Sequence, residues 1–216
     1  MNLANTIDHT LLKPDCTSEQ IKTLCTEAIE LAPKSVCIPP NYVSLASSLL
    51  KESPVLVCTV IGFPLGYQET SIKALETKLA VELGADEIDM VINISWLKSG
   101  QDQDVQNDIA EVVQNASGKT VKVILETCLL NDQEIVRACL LAKAAKAHFV
   151  KTSTGFSTGG ATIDHVSLMK KTVGDAMEVK ASGGIKTVQM AHDLIKAGAT
   201  RLGTSSTKKL LGLAAD

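Results

Sequence analysis

His148-Phe149-Val150-Lys151-Thr152-Ser153-Thr154-Gly155 is a short apolar run that ends in a lysine and passes at once into small hydroxyl residues and glycine. A run of this length bounded by a turn signal reads as a strand and its exit loop. The arrangement returns at Val179-Lys180-Ala181-Ser182-Gly183-Gly184. A stretch of helical periodicity precedes each, at residues 132–145 and 163–172. Helix, strand and small-residue loop therefore form a unit that repeats. Outward from it, further β-rich runs fall at 35–38, 55–61, 87–92, 121–126 and 201–203, with a weaker opening strand at 7–11. Helical stretches alternate with them at 18–31, 41–51, 69–83, 102–115 and 187–197, and a short one starts at Ser205. Thr17 or Ser18, Asn131 or Asp132, and Thr187 stand where helix caps belong. Gly84 and Gly198 follow helices where a left-handed residue is wanted. Eight strands alternating with eight helices predict an α/β chain folded as one closed (β/α)8 TIM barrel over residues 1–216. An open doubly wound sheet is the alternative, but no G-x-G-x-x-G opens the first helix.

Composition narrows the function. The 216 residues are 45% hydrophobic but only 3% aromatic, so the core is aliphatic. A net charge of −3 without a basic run argues against nucleic acid or an anionic membrane as partner. No basic start followed by an apolar stretch suggests a signal peptide, and no apolar run approaches the ~18–20 residues of a membrane span. The six cysteines (Cys16, Cys25, Cys37, Cys58, Cys128 and Cys139) form no C-x-x-C pair, and the four histidines are scattered. They read as the reduced thiols of a cytoplasmic protein with neither metal nor cofactor.

In a barrel the strand ends on the C-terminal side form the active face. Lys151 and Lys180 are read as closing strands six and seven, and Asp89 lies within strand four. Alternation sets each lysine opposite an outward valine and Asp89 opposite Ile88 and Met90, so all three point inward. A lone strand lysine is usually a rim charge, and an inward aspartate is often only its counter-ion. Two lysines sharing a pocket are different: one loses its proton readily, and a neutral amine attacks carbonyl carbon. Lys122 opens strand five and reads as a bottom-layer or an ion-paired residue. Ser182-Gly183-Gly184 and Gly203-Thr204-Ser205-Ser206 follow strands seven and eight, where barrels often hold phosphate on backbone N–H groups. Asp8 reads equally as a turn former. Cys37 and Cys58 read as small buried hydrophobes.

Taken together, Ile7-Asp8-His9-Thr10-Leu11-Leu12-Lys13-Pro14, Gly84-Ala85-Asp86-Glu87-Ile88-Asp89-Met90-Val91, Val150-Lys151-Thr152-Ser153-Thr154-Gly155-Phe156, Val179-Lys180-Ala181-Ser182-Gly183-Gly184-Ile185 and Gly203-Thr204-Ser205-Ser206 resemble the deoxyribose-phosphate aldolase family over nearly the whole chain. Ser35-Val36-Cys37-Ile38-Pro39-Pro40 and Gly62-Phe63-Pro64-Leu65-Gly66 fit as well. The resemblance implies a metal-free lyase that cleaves 2-deoxy-D-ribose 5-phosphate reversibly to acetaldehyde and D-glyceraldehyde 3-phosphate. It makes Lys151 the Schiff-base lysine, Lys180 the group that lowers its pKa, and Asp89 the general acid/base acting with water. Asp8, Thr10 and Cys37 would line the pocket near the sugar carbons, and Gly155, Gly183, Gly184, Ser205 and Ser206 would cradle the phosphate. The partner implied is a small sugar phosphate, with a homo-oligomer, dimer or tetramer, as an open state. Phe156 stands where some members carry a lysine, which shifts phosphate affinity towards backbone amides and Lys186. Some members also end in a tail with a terminal tyrosine, whereas this sequence ends Gly212-Leu213-Ala214-Ala215-Asp216 with tyrosines only at Tyr42 and Tyr67. A sugar-phosphate binding barrel without catalysis and a metal-dependent aldolase or isomerase are the rival readings.

Overall fold

The computed structural model describes residues 3–213; Ala214-Ala215-Asp216 of the tail considered above lie outside the described residues. Eight strands form a closed, all-parallel ring in chain order: β1 (Ile7–Thr10), β2 (Ser35–Ile38), β3 (Leu56–Ile61), β4 (Glu87–Val91), β5 (Thr120–Ile124), β6 (Phe149–Lys151), β7 (Glu178–Ser182) and β8 (Arg201–Thr204). The ring closes where Asp8 pairs with Gly203. Around it lie α1 (Ser18–Leu31), α2 (Val43–Leu50), α3 (Thr70–Glu82), α4 (Ile94–Lys98), α5 (Asp102–Asn115), α6 (Asp132–Ala144), α7 (Ile163–Val173), α8 (Val188–Lys196) and α9 (Thr207–Leu210). This is the (β/α)8 TIM barrel that the repeat predicts. No helix among the described residues is long and apolar enough to cross a membrane.

Local chemistry explains the helix positions. Thr17 and Asn131 each build a complete capping box, with Gln20 and Glu134 as the reciprocal partners. α1 buries Ile21, Leu24, Cys25 and Ala28, and α6 repeats the spacing with Ile135, Ala138, Cys139 and Ala142. That stripe faces the outer surface of the barrel, where the main aliphatic core sits with Val36, Ile88, Val123, Val150 and Val179. Burying one residue such as Ile135 contributes about 1.5–3 kcal/mol.

Several boundaries shift by a residue or two, and three differences from expectation stand out. Lys180 does not close β7, because Ser182 still pairs with Gly203 and carries the strand two positions further. β5 stops at Ile124 rather than 126, because Glu126 adopts a left-handed backbone (φ 55°) and a tight 3-10 turn follows. α4 is an additional helix, too short to leave a periodicity, started by Asn93 accepting from the Trp96 N–H at 3.2 Å.

Candidate active site

The barrel interior is ionic rather than aliphatic. Asp89 of β4 accepts hydrogen bonds from Lys151 and from Lys180, both at 2.7 Å and both on Oδ2. β4 and β7 are not neighbours in the ring, so the bond from Lys180 crosses the lumen. Lys122 reaches the other oxygen of Asp89 at 2.8 Å, and the Cys58 thiol donates to that oxygen at 3.2 Å. Lys180 also donates to Asp8 Oδ2. Below them, Arg201 bonds Asp8 at 2.7 Å and clasps both oxygens of Glu87 at 2.7 and 3.2 Å, its guanidinium 5.3 Å over the Phe149 ring. Lys122 completes the circuit with Glu87 at 2.7 Å.

Every member of this network is buried, so electrostatics decide its protonation. Burial alone would raise the Asp89 carboxyl; Lys122, Lys151 and Lys180 outweigh it and hold Asp89 well below the usual carboxylate range. The same contest at Asp8, against Lys180, Lys122 and Arg201, ends the same way. Burial would strip Lys180 of its proton, but Asp8 and Asp89 raise it well above an ordinary lysine. Lys122 is raised likewise, chiefly by Asp89 against the cost of burial. Asp89 is therefore an anion and Lys180 a cation at neutral pH in the resting site. The network holds four basic side chains (Lys122, Lys151, Lys180, Arg201) against three carboxylates (Asp8, Glu87, Asp89). Of its three lysines, only one reaches a cavity.

That lysine is Lys151, which ends β6 in the wall of a cavity of about 380 Å³. The same cavity is lined by Thr10, Gly155, Gly183, Gly184, Ser205 and Ser206, together with Lys186 and Phe156. Phe156 packs edge-on against Phe63, ring centroids 5.2 Å apart. Asp89, Lys180, Asp8 and Cys37 lie beneath the wall, fully buried, and do not line it. Asp8 thus meets the site through Lys180 rather than by facing the cavity. Cys37 is held beside Cys58, its partner in register on β3, and the Cys58 side chain lowers the Cys37 thiol against the cost of burial. Gly183 and Gly184 adopt left-handed backbones (φ 85° and 77°) that turn the chain around the cavity. Gly203 makes room: a Cβ there would sit 3.1 Å from Lys180 Cε.

Supporting contacts fix the loops. Glu126, positioned by its left-handed backbone, accepts from the Thr154 hydroxyl and from the Thr154 N–H at 3.3 Å. Ser182 donates to the Ser153 carbonyl at 2.6 Å. Sequence reasoning missed Arg201, Glu87, Cys58 and Glu126. For Glu87 the signal was present, since it shares strand parity with Asp89. Of the two readings of Lys122, the ion-paired one holds, and its partners include Asp89 itself as well as Glu87. Among the described residues, donor atoms of Cys37, Cys58 and Asp89 lie within 4.8 Å of one another, as do those of Asp8, Cys58 and Glu87. The Lys122 ammonium already occupies the cation position between Cys58 and Asp89, at 3.3 and 2.8 Å.

Comparison with known proteins fits this geometry. A model described as DeoC/LacD family aldolase matches residues 3–213. A deoxyribose-phosphate aldolase of Staphylococcus epidermidis is 58% identical over 98% of this chain and 96% of its own length. One of Natranaerobius thermophilus is 54% identical, covering 97% and 96%. The solved tetrameric deoxyribose-phosphate aldolase from Aeropyrum pernix superposes with a TM-score of 0.91 at 36% identity, over 97% of this chain and 89% of that one. The chain belongs to the DeoC/LacD aldolase family and is an enzyme of the lyase class.

Proposed function

We propose that the chain cleaves 2-deoxy-D-ribose 5-phosphate reversibly to acetaldehyde and D-glyceraldehyde 3-phosphate through a Schiff base on Lys151, in the breakdown of deoxyribose phosphates. One observation carries this reading: Lys151 and Lys180 share a single oxygen of Asp89, and only Lys151 opens to the cavity. Neutral Lys151 Nζ attacks the aldehyde carbon to form a carbinolamine. Lys180 does not reach the cavity, so its proton passes by way of Asp89 and a water molecule to the hydroxyl, which leaves as water. The resulting iminium draws electrons from the bond between carbons 2 and 3. Asp89, acting with a water molecule, takes the proton of the carbon 3 hydroxyl, and that bond breaks to release glyceraldehyde 3-phosphate. The proton held by Asp89 and its water then passes to carbon 2 of the enamine, and hydrolysis of the resulting iminium, which returns a proton to Lys180, frees acetaldehyde and Lys151. Thr10 flanks the sugar carbons. Gly155, Gly183, Gly184, Ser205 and Ser206 hold the phosphate, with Lys186 as its side-chain cation.

A coupled assay for glyceraldehyde 3-phosphate release tests the reaction, and an added chelator leaves the rate unchanged. Borohydride in the presence of substrate adds mass to the peptide containing Lys151, and Lys151→Leu reduces cleavage to background without loss of fold. Labelling of another lysine would reassign the nucleophile.

A further inference from the structure

His9 alternates with Asp8 on β1 and so faces away from the catalytic network, into the layer between barrel and helices. It is buried there, with two partners. Nδ1 lies 2.8 Å from the Thr207 hydroxyl, and Nε2 lies 3.1 Å from Glu27 of α1. A neutral ring with its proton on Nε2 satisfies both contacts: it donates to the Glu27 carboxylate and accepts from Thr207. Burial lowers the His9 pKa against the pull of Glu27, in keeping with the neutral form. Glu27 is itself braced by Lys208 at 3.1 Å. Thr207 directly follows Ser205 and Ser206 and is almost fully buried. A side cavity of about 420 Å³ shows the adjacency, since Ser205 lines it together with His9 and Glu27 while also lining the main cavity.

We propose that His9 is a positioning residue for phosphorylated substrates: with Glu27 behind it and Thr207 before it, it fixes the Ser205–Ser206 turn at the distance a phosphate requires. The inference rests on the proposed function, in which that turn holds the phosphate. His9 touches neither the sugar nor the lysines. Its effect therefore falls on discrimination between phosphorylated and unphosphorylated substrate rather than on the carbon–carbon step. The relay joins three separate segments, α1, β1 and the start of α9.

The test compares kcat/KM for 2-deoxyribose 5-phosphate and for 2-deoxyribose in the full-length protein. In Thr207→Val, which removes the hydroxyl and keeps the shape, the ratio of the two values falls roughly tenfold, the size expected when one buried hydrogen bond is broken and its partner is stranded. The fall comes through KM for the phosphorylated substrate. Thr207→Ser, which keeps the hydroxyl, restores the ratio, and His9→Leu reproduces the loss. Equal losses on both substrates, or no change in the ratio, would overturn the role of His9 and leave the reaction itself standing. Failure of the unaltered protein to cleave the phosphorylated sugar would overturn both.

Discussion

Lys151 and Lys180 illustrate how little a residue's identity fixes and how much its neighbours do. Both are lysines on adjacent strands, in register with each other. Lys180 is enclosed by Asp8 and Asp89, so its ammonium is held. Lys151 has Asp89 alone and a face on the cavity. Under the proposed function, the cation with two buried carboxylates is a proton source and electrostatic wall, and the amine at the cavity wall is the nucleophile. Lys180→Met removes that source and also leaves Asp8 without its closest partner. A kcat lower by ~10²–10⁴-fold is expected, with Lys151 still trapped, slowly, by borohydride. Rapid and undiminished turnover by this variant would remove Lys180 from the proton path.

Elements are locked to one another by buried ion pairs as well as by apolar stripes. Lys73 of α3 lies wholly inside the protein and bonds Asp108 of α5 at 2.6 Å and the Val91 carbonyl at 3.0 Å. Its side chain also packs under Gly62, where a Cβ would come within 2.9 Å of Lys73 Cε. Burial lowers Lys73 and raises Asp108 despite their mutual attraction, so the desolvation cost of this pair is large. Asp108→Ala strands a buried ammonium and is expected to destabilise the fold by about 3–5 kcal/mol, read as a lower urea midpoint. The double variant Lys73→Met with Asp108→Leu removes both charges and recovers most of that loss. A double variant as unstable as the single one would show that packing, not the stranded charge, dominates. The sequence announces none of this, because Lys73 sits beside the apolar Ile72 and Leu75, which end up exposed, and only the docking of α3 on α5 buries the lysine instead.

At the scale of the whole molecule, a chain of charges threads the barrel from Arg201 and Glu87 to Lys151. The carboxylates Asp8 and Asp89 are held below their ordinary range, so the stability they confer is complete above the unfolded-state value of about 4 and is lost as pH falls below it. Lys122 and Lys180 are held above theirs, so their contribution is complete below about 10.4 and is lost as pH rises beyond. Thermal unfolding across pH is therefore expected to show a plateau with one acid limb and one alkaline limb; a Tm still rising below pH ~4 would contradict the pairing. Much of this architecture is legible in the chain. The strand–helix rhythm, the caps at Thr17 and Asn131, and the lysines before small-residue loops follow from periodicity and hydrogen-bonding chemistry, which act over a few residues. The inward aim of Asp89, Lys151 and Lys180 follows from strand alternation. The sequence by itself thus determined the order of elements, the closed barrel and the inward lysines and aspartate that meet inside it. Only tertiary structure decided that Lys180 stays charged while Lys151 faces the cavity, that Arg201, Glu87 and Lys122 share one network, and that His9 answers to Thr207 far along the chain. The reason is physical: protonation and burial depend on distances across the lumen and between layers, and those distances exist only once the ring has closed.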